Sequence, residues 1–171
     1  MIEINNMYEI IENLWLGNYC ASIDIPKLKS KGIKKILTVM DHFEGPNYDI
    51  KDFKHKQIDI EDMNRQNIIQ YFGECFNFIK GEEKILVHCI AGSSRSASIV
   101  IAYLMWIKKW KLEQTLKYVQ EKRPIVGPIE GFLKQLEIFE KLLIENDYDI
   151  DKINFKDIKW EPTQEMLDDF L

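Results

Sequence analysis

Apolar residues along the chain recur at two spacings, which predict strands and helices in alternation. Short apolar or alternating runs predict strands at 8–11, 14–17, 33–40, 53–60 and 84–87. Helical spacing and end signals predict helices beginning after Asp24 and at 65–80, 96–109, 111–122 and 129–145. Strands that alternate with helices predict an α/β domain in which a central, largely parallel twisted sheet is flanked by helices.

Composition narrows the class of protein. With 46% hydrophobic and 30% charged residues, the chain is suited to a buried core, which excludes wholesale disorder and fibrous architectures. The longest uninterrupted apolar run, 99–107, is about half the length that a membrane span needs. The N-terminus shows no basic-then-apolar leader. These features predict no membrane association and a cytoplasmic location, with the nucleus as the alternative.

Charge and cysteine content exclude further classes. The net charge of −5 lies entirely in residues 147–171, so the remaining body is neutral and lacks the basic surface of a nucleic-acid binder. Cys20, Cys75 and Cys89 form no C-x-x-C pair, so we expect neither a disulfide framework nor a metal site. Cys75, on a helix face, is predicted to pack in the core, with a redox partner of Cys89 as the alternative.

The segment 88–96, His-Cys-Ile-Ala-Gly-Ser-Ser-Arg-Ser, carries the chemistry. It lies between a predicted strand and a predicted helix, which is where α/β proteins bind anions. Small residues allow successive N–H groups to converge on a phosphate, and Arg95 adds a planar fork that lysine lacks. The predicted phosphate-binding residues are Ile90, Ala91, Gly92, Ser93, Ser94 and Arg95.

Cys89 lies at the floor of this predicted cradle. The amides and the helix dipole that favour a phosphate dianion also favour a thiolate. The inferred reaction is attack of the sulfur on phosphorus, giving a cysteinyl-phosphate that water hydrolyses. His88 is expected to hold Cys89 by hydrogen bonding, with titration during catalysis as the alternative. An inert buried cysteine in a Gly/Ser turn is the structural alternative to a nucleophile.

An alkoxide leaving group needs a proton from a general acid. Asp59, Glu61 and Asp62 follow the strand predicted at 53–60 and supply three candidate carboxylates. The residues alone leave the choice among these three open.

The chain resembles the dual-specificity phosphatases of the cysteine-based tyrosine phosphatase superfamily over about residues 8–145. The resemblance rests on the signature at 88–96, with supporting matches at 14–17, 32–39, 102–105 and 131–136. It implies a catalytic domain at 1–146, with Cys89 as nucleophile, Arg95 binding phosphate and Ser96 assisting departure of the thiolate. It also favours Asp62 as the acid and implies that no cofactor is needed.

The neutral side chains of the loop bear on substrate. Relatives that act on lipids tend to carry basic residues there, so this chain is expected to act on phosphoproteins bearing phosphotyrosine, phosphoserine or phosphothreonine. The chain departs from the family at Ile129, where an asparagine usually supports the phosphate loop. A phosphosite-binding pseudophosphatase is therefore one alternative, and an RNA 5′-phosphatase is another. The sequence specifies no oligomeric state.

Two functions are open for several other residues, and the extension 147–171 lies outside the resemblance. Lys122 and Arg123 form either a second phosphate pocket or a solvated helix end. His42 and His55 have no partners in sequence and are expected at the surface. The acidic extension 147–171 either inhibits the site from the body or from a second copy, or simply completes the fold. Its predicted elements are a short helix over 165–171 and apolar contacts from Trp160, Met166, Leu167 and Phe170.

Overall fold

The computed structural model describes residues 5–168 of the 171-residue chain. Its strands are β1 Met7–Ile11, β2 Leu14–Gly17, β3 Lys35–Val39, β4 Lys54–Ile58 and β5 Ile85–His88. They form one sheet in the order β1-β2-β5-β3-β4. β1 and β2 pair antiparallel, and the other three neighbouring pairs are parallel. The predicted α/β architecture with a largely parallel sheet is confirmed.

Helices flank this sheet. They are α1 Tyr19–Ile23, α2 Ile25–Ser30, α3 Phe72–Ile79, α4 Arg95–Lys108, α5 Leu112–Lys122, α6 Glu130–Glu145 and α7 Gln164–Asp168. Short 3₁₀ turns lie at Ile69–Tyr71, Ile150–Lys152 and Phe155–Asp157. No helix within residues 5–168 is long and apolar enough to cross a bilayer.

The segment between β5 and α4 is attached at both ends to elements that are buried in the core. All four residues of β5 are buried in the middle of the sheet. The first eleven residues of α4 are also buried, as expected for a helix that is apolar on most sides. A loop fixed between two buried elements loses little further conformational freedom on binding a ligand, because its ends cannot move.

The observed helices differ from the predicted ones in two places. The helix predicted at 65–80 begins only at the 3₁₀ turn Ile69–Tyr71, because the side-chain oxygen of Gln135 on α6 accepts the amides of Ile68 and Ile69 at 2.8 and 3.2 Å. The first amides of a helix have no acceptor within it, so this tertiary contact satisfies them and fixes where the helix begins. The short helix α1 was not predicted; its N-cap, Asn18, accepts a hydrogen bond from Ala21 N–H at 3.0 Å.

Residues 147–168 pack against the body of the molecule. Phe155 and Ile153 are buried with the main core, and Met166 is buried as well. The helix predicted at 165–171 is present as α7 up to Asp168, whereas the predicted contact of Phe170 lies outside the described residues. Leu167, expected to make an apolar contact, is exposed. The division of the chain at residue 146 stays a prediction.

Candidate active site

The sulfur of Cys89 lies inside the loop that joins β5 to α4. Its residue is only 2% exposed. The Sγ accepts a hydrogen bond from the Gly92 N–H at 3.3 Å and another from the Ser96 hydroxyl at 3.0 Å. Both donors favour a negatively charged sulfur, and both come from residues of the segment that the sequence indicated, Gly92 and Ser96.

Gly92 allows the loop to close around the sulfur. Its φ of +68° lies in the left-handed region that side chains other than glycine rarely adopt. A Cβ at this position would overlap the carbonyl group of Gly17, the last residue of the adjacent strand β2. Any side chain here would therefore push the loop off the sheet edge and displace the amide that points at Cys89.

Arg95 begins α4 and is 6% exposed. Its Nη1 donates to the Asp41 carboxylate at 3.0 Å and to the Ile60 carbonyl at 3.0 Å. Its buried Nε has no hydrogen-bond partner within residues 5–168. A buried donor without a partner is costly, so the arginine is held at one edge with an unsatisfied N–H left for an anion. Asp41 was not predicted; it follows β3 and is 54 residues away in sequence.

His88 is fully buried and holds the start of the loop. Its Nδ1 lies 3.2 Å from the Cys89 carbonyl oxygen, which can only accept, so Nδ1 carries the proton. Its Nε2 then accepts from the Thr38 hydroxyl at 2.7 Å. Burial lowers the pKa of His88 to about 4, so the ring is neutral at pH 7. This geometry supports the holding role predicted for His88.

The same chain of contacts reaches His55, which lies 2.8 Å from the Thr38 hydroxyl through its Nε2. The ring of His55 packs on Tyr48 with centroids 4.7 Å apart, and this partial burial lowers its pKa. His55 is exposed as predicted, and the partner that it lacks in the local sequence is Thr38, which is near because β3 and β4 are neighbours in the sheet. His42 is a surface residue, with 95% of its side chain exposed.

The remaining loop residues divide by exposure. Ile90 and Ala91 face solvent, whereas Ser94 is buried. The Ser94 hydroxyl accepts the Ile129 N–H at 3.1 Å, and the Ser93 carbonyl accepts the Gly127 N–H at 2.9 Å. The segment that lacks the family's usual asparagine side chain therefore still supports the loop through its main-chain amides.

The surroundings of Arg123 contradict both predictions for it, a second phosphate pocket and a solvated helix end. It is 3% exposed, so it is neither a solvated helix end nor part of an open second pocket. Its Nε donates to the Gly92 carbonyl and its Nη2 to the Ala91 carbonyl, both at 3.0 Å. Burial lowers the pKa of its guanidinium. The Ala91 carbonyl belongs to the same peptide group as the Gly92 N–H, so by holding it Arg123 helps to turn that N–H towards the sulfur.

The acid loop, residues 59–67, carries the three candidate carboxylates. Asp59 accepts from the Gln57 side chain at 2.7 Å, and Glu61 pairs with Arg65 at 3.2 Å. Asp62 is exposed, and its carboxylate has no hydrogen bond or ion pair within residues 5–168. The two neighbouring acids are thus occupied, whereas Asp62 is free to meet a substrate.

The other two cysteines lie on helices outside the loop. Cys75 is buried in α3, and burial raises the pKa of its thiol, which fits the packing role expected for it. Cys20 is exposed on α1. Among residues 5–168, no three His, Cys, Asp or Glu side chains are grouped as a metal site requires.

Comparisons with known proteins agree on one family. The family model "Dual specificity phosphatase, catalytic domain" matches residues 14–142. The tyrosine-protein phosphatase yvh1 of Schizosaccharomyces pombe is 34% identical to this chain. The alignment covers 87% of this chain and 44% of that relative, so the chain spans less than half of the relative's length. Dual specificity protein phosphatase 1 of Arabidopsis thaliana is 37% identical, covering 84% of this chain and 74% of the relative.

A solved structure shows the same fold. The crystal structure of the human tyrosine phosphatase-like serine/threonine/tyrosine-interacting protein superposes with a TM-score of 0.76 and 36% identity, covering 81% of this chain and 97% of that one. The family model extends over most of the chain and includes the whole loop around Cys89. The chain therefore belongs to the dual-specificity phosphatase family.

Proposed function

We propose that this protein hydrolyses phosphate monoesters on phosphotyrosine, phosphothreonine and phosphoserine of protein substrates, without a metal ion. The observation that carries the proposal is the position of the Cys89 sulfur. It receives hydrogen bonds from Gly92 N–H and the Ser96 hydroxyl, beside an Arg95 whose Nε lacks a partner in the described chain. A sulfur that receives two hydrogen bonds and an arginine N–H left for an anion thus lie in a single loop.

The first step forms a bond between the Cys89 sulfur and phosphorus. The bond between phosphorus and the substrate oxygen breaks, and Asp62 supplies the proton to that oxygen. Arg95 and the loop amides stabilise the three remaining phosphoryl oxygens, whose charge develops at donors already in place. The products are the dephosphorylated side chain and a cysteinyl-phosphate.

The second step releases inorganic phosphate. Water attacks phosphorus while Asp62, now a carboxylate, accepts a proton from it. The sulfur–phosphorus bond breaks, and its electron pair returns to sulfur. The Ser96 hydroxyl, which lies 3.0 Å from that sulfur, stabilises the departing thiolate.

The side chains of the loop favour a substrate with one phosphate. Residues 90–94 are all uncharged, so Arg95 is the only cation that the loop itself contributes. A polyphosphorylated lipid or a triphosphate-bearing RNA would place further negative charge beside these residues without a matching cation. The exposed Ile90 offers an apolar contact to the substrate side chain or to its neighbours. The cytoplasmic location stays a prediction of the sequence.

A second candidate function is a phosphosite-binding module. The relative of known structure described above carries a name that refers to interaction and calls it phosphatase-like. The same loop would bind a phosphorylated peptide without turnover if the second step were blocked. The presence of both Cys89 and Ser96 favours the enzyme over this alternative.

Hydrolysis of a phosphotyrosine peptide and a phosphothreonine peptide, with chelator present, tests the proposal. The wild type is expected to turn over both peptides, whereas Cys89→Ser is expected to turn over neither. Cys20→Ser is the matched control, because Cys20 is exposed on α1, and it should retain full activity. Turnover by Cys89→Ser would reject the cysteinyl-phosphate route. Tight peptide binding by the wild type without turnover would establish the binding module.

A further inference from the structure

The C-terminal segment, residues 147–168, is fixed to the core before it reaches the site. The Phe155 ring packs against Phe76 and Phe139, with centroids 6.2 and 5.9 Å apart. A Cβ on Gly73 of α3 would lie 2.8 Å from the same ring, so the helix approaches it closely. This anchor leaves residues 158–166 able to make defined contacts further along the surface.

Those contacts converge on the acid loop. The indole Nε1 of Trp160 donates to the Asn64 carbonyl at 2.7 Å. The Asn64 side-chain amide donates to the Met166 carbonyl at 3.1 Å, and the Asn67 amide donates to the Ile158 carbonyl at 2.8 Å. Three hydrogen bonds thus join one face of the segment to two residues of the loop that carries Asp62.

Asn64 is the residue through which these contacts act. It is 8% exposed, and its side-chain oxygen accepts the Gly131 N–H of α6 at 2.8 Å. A Cβ on Gly131 would lie 2.7 Å from the Asn64 carbonyl oxygen, so helix and loop are in direct contact. Asn64 is therefore bonded to α6 on one side and to the C-terminal segment on the other.

The opposite end of the acid loop is held by the phosphate-binding arginine. Arg95 Nη1 donates to the Ile60 carbonyl at 3.0 Å. Asp62 lies midway between Ile60 and Asn64 in sequence, and its own carboxylate has no partner in the described chain. Within the loop, the Glu61 N–H donates to the Gln66 side-chain oxygen at 3.0 Å. The ends of the loop are fixed by Arg95 at Ile60, and by α6 and the C-terminal segment at Asn64. The place of the Asp62 carboxylate therefore depends in part on the C-terminal segment.

We infer that the C-terminal segment positions the general acid, with Trp160 as the positioning residue that acts through Asn64 on Asp62. This inference rests on the proposed role of Asp62. The bonds to the loop come from an indole, amides and carbonyls, and none comes from the segment's carboxylates. None of these contacts places a negative charge beside Arg95, so the segment does not compete with phosphate there, and its effect is expected on the loop that carries Asp62.

Trp160→Phe tests the inference because it removes the indole N–H and retains an aromatic ring. The matched control is Trp106→Phe, which removes an indole N–H that donates to the Tyr148 carbonyl, at the start of the same segment, at 3.1 Å. The readout is kcat/KM, which reports only the steps up to departure of the leaving group. A phosphothreonine peptide needs the acid in those steps, whereas p-nitrophenyl phosphate releases a stable anion and does not.

Trp160→Phe is expected to lower kcat/KM for the phosphothreonine peptide about 10-fold and to leave that for p-nitrophenyl phosphate within about 2-fold. Trp106→Phe should change neither. In an Asp62→Asn background the Trp160 substitution should have no further effect on the peptide, since the group it positions is absent. An equal loss on both substrates, or an undiminished loss in the Asp62→Asn background, would overturn the inference and leave a structural role alone.

Hydrogen exchange of the backbone amides of residues 61–69 gives a second measurement that does not depend on turnover. Faster exchange in Trp160→Phe than in Trp106→Phe is expected. Equal protection in the two variants would contradict the anchoring even if the enzyme proved inactive. Failure of the proposed function is seen separately, as a wild type that turns over neither substrate.

Discussion

The hydroxyl of Ser96 lies 3.0 Å from the sulfur of Cys89, on the first turn of the helix that follows the phosphate-binding loop. The hydroxyl is buried, so water does not compete for the sulfur. A hydrogen bond to a charged group is worth about 1.5–3 kcal/mol. The contact is therefore strong enough to influence how readily the cysteinyl-phosphate breaks down.

Ser96→Ala is expected to lower kcat by about 10- to 100-fold, because the thiolate then departs without a donor. With p-nitrophenyl phosphate the variant should show a burst of about one product per enzyme, since formation of the intermediate stays fast. Rapid-mixing kinetics provide the measurement. Ser98→Ala removes another buried hydroxyl of the same helix, one that donates to the Ser94 carbonyl, and should show no burst. Equal loss of both steps in Ser96→Ala would contradict the assignment.

Asp62→Asn is expected to lower kcat for a phosphothreonine peptide by about 100-fold or more, because an amide cannot protonate the leaving oxygen. The high-pH limb of the pH–rate profile should flatten in this variant, since the group responsible for it is gone. Asp59→Asn is the control, as Asp59 already accepts from Gln57. An unchanged profile in Asp62→Asn, or an equal effect in Asp59→Asn, would move the role to another carboxylate.

Gly92→Ala is expected to abolish most activity, lowering kcat/KM by about 100-fold or more. The added Cβ would meet the Gly17 carbonyl group at a φ of +68°, so the loop cannot keep its shape. Gly127→Ala is the matched control, because a Cβ there meets nothing within 4 Å. Steady-state kinetics on p-nitrophenyl phosphate distinguish the two, and similar losses in both variants would refute this account.

Arg123→Met is expected to reduce the free energy of unfolding by about 3 kcal/mol, because the Gly92 carbonyl loses its donor in a buried place and the Ala91 carbonyl loses its donor in a half-buried one. KM for a phosphopeptide should rise as well, since the loop amides lose their support. Lys122→Met removes the adjacent exposed cation and should do neither. Urea unfolding and kinetics of both variants check the prediction. An Arg123→Met variant as stable as the wild type would show that the hydrogen bonds of Arg123 to the loop carbonyls contribute little to the free energy of unfolding.

Stability is expected to fall as pH drops from about 6.5 to about 4, owing to His88. Its folded-state pKa is lowered from 6.5 to about 4, so the unfolded chain binds the extra proton over this range. The contribution amounts to roughly 2 kcal/mol less stability at pH 5 than at pH 7. His55, whose pKa is also lowered, acts in the same direction.

Urea unfolding at the two pH values measures this dependence. His88→Asn should reduce the difference between pH 5 and pH 7, whereas His42→Asn should leave it as in the wild type, because the His42 side chain is 95% exposed. A pH dependence that His88→Asn does not alter would assign it to other groups.

Most of the architecture was predictable from local pattern. The spacing of apolar residues predicted all five strands and the helices α4 to α6 within a few residues, because burial of one face or of whole segments leaves a periodic trace in the sequence. The predicted place of the segment 88–96 between a strand and a helix is also observed, and the anion site proposed there rests on a cysteine, a glycine, an arginine and a hydroxyl within nine consecutive residues. Local order along the chain was sufficient for these conclusions.

Partners distant in sequence were decided only by the tertiary structure. Arg95 pairs with Asp41, Arg123 holds the carbonyls of the loop, and Thr38 joins His88 to His55. Trp160 donates to the carbonyl of Asn64, which lies 96 positions away in sequence. None of these pairs has a periodic or contiguous signal, because each exists only where the packing of sheet and helices brings two polar groups together in a buried or half-buried place.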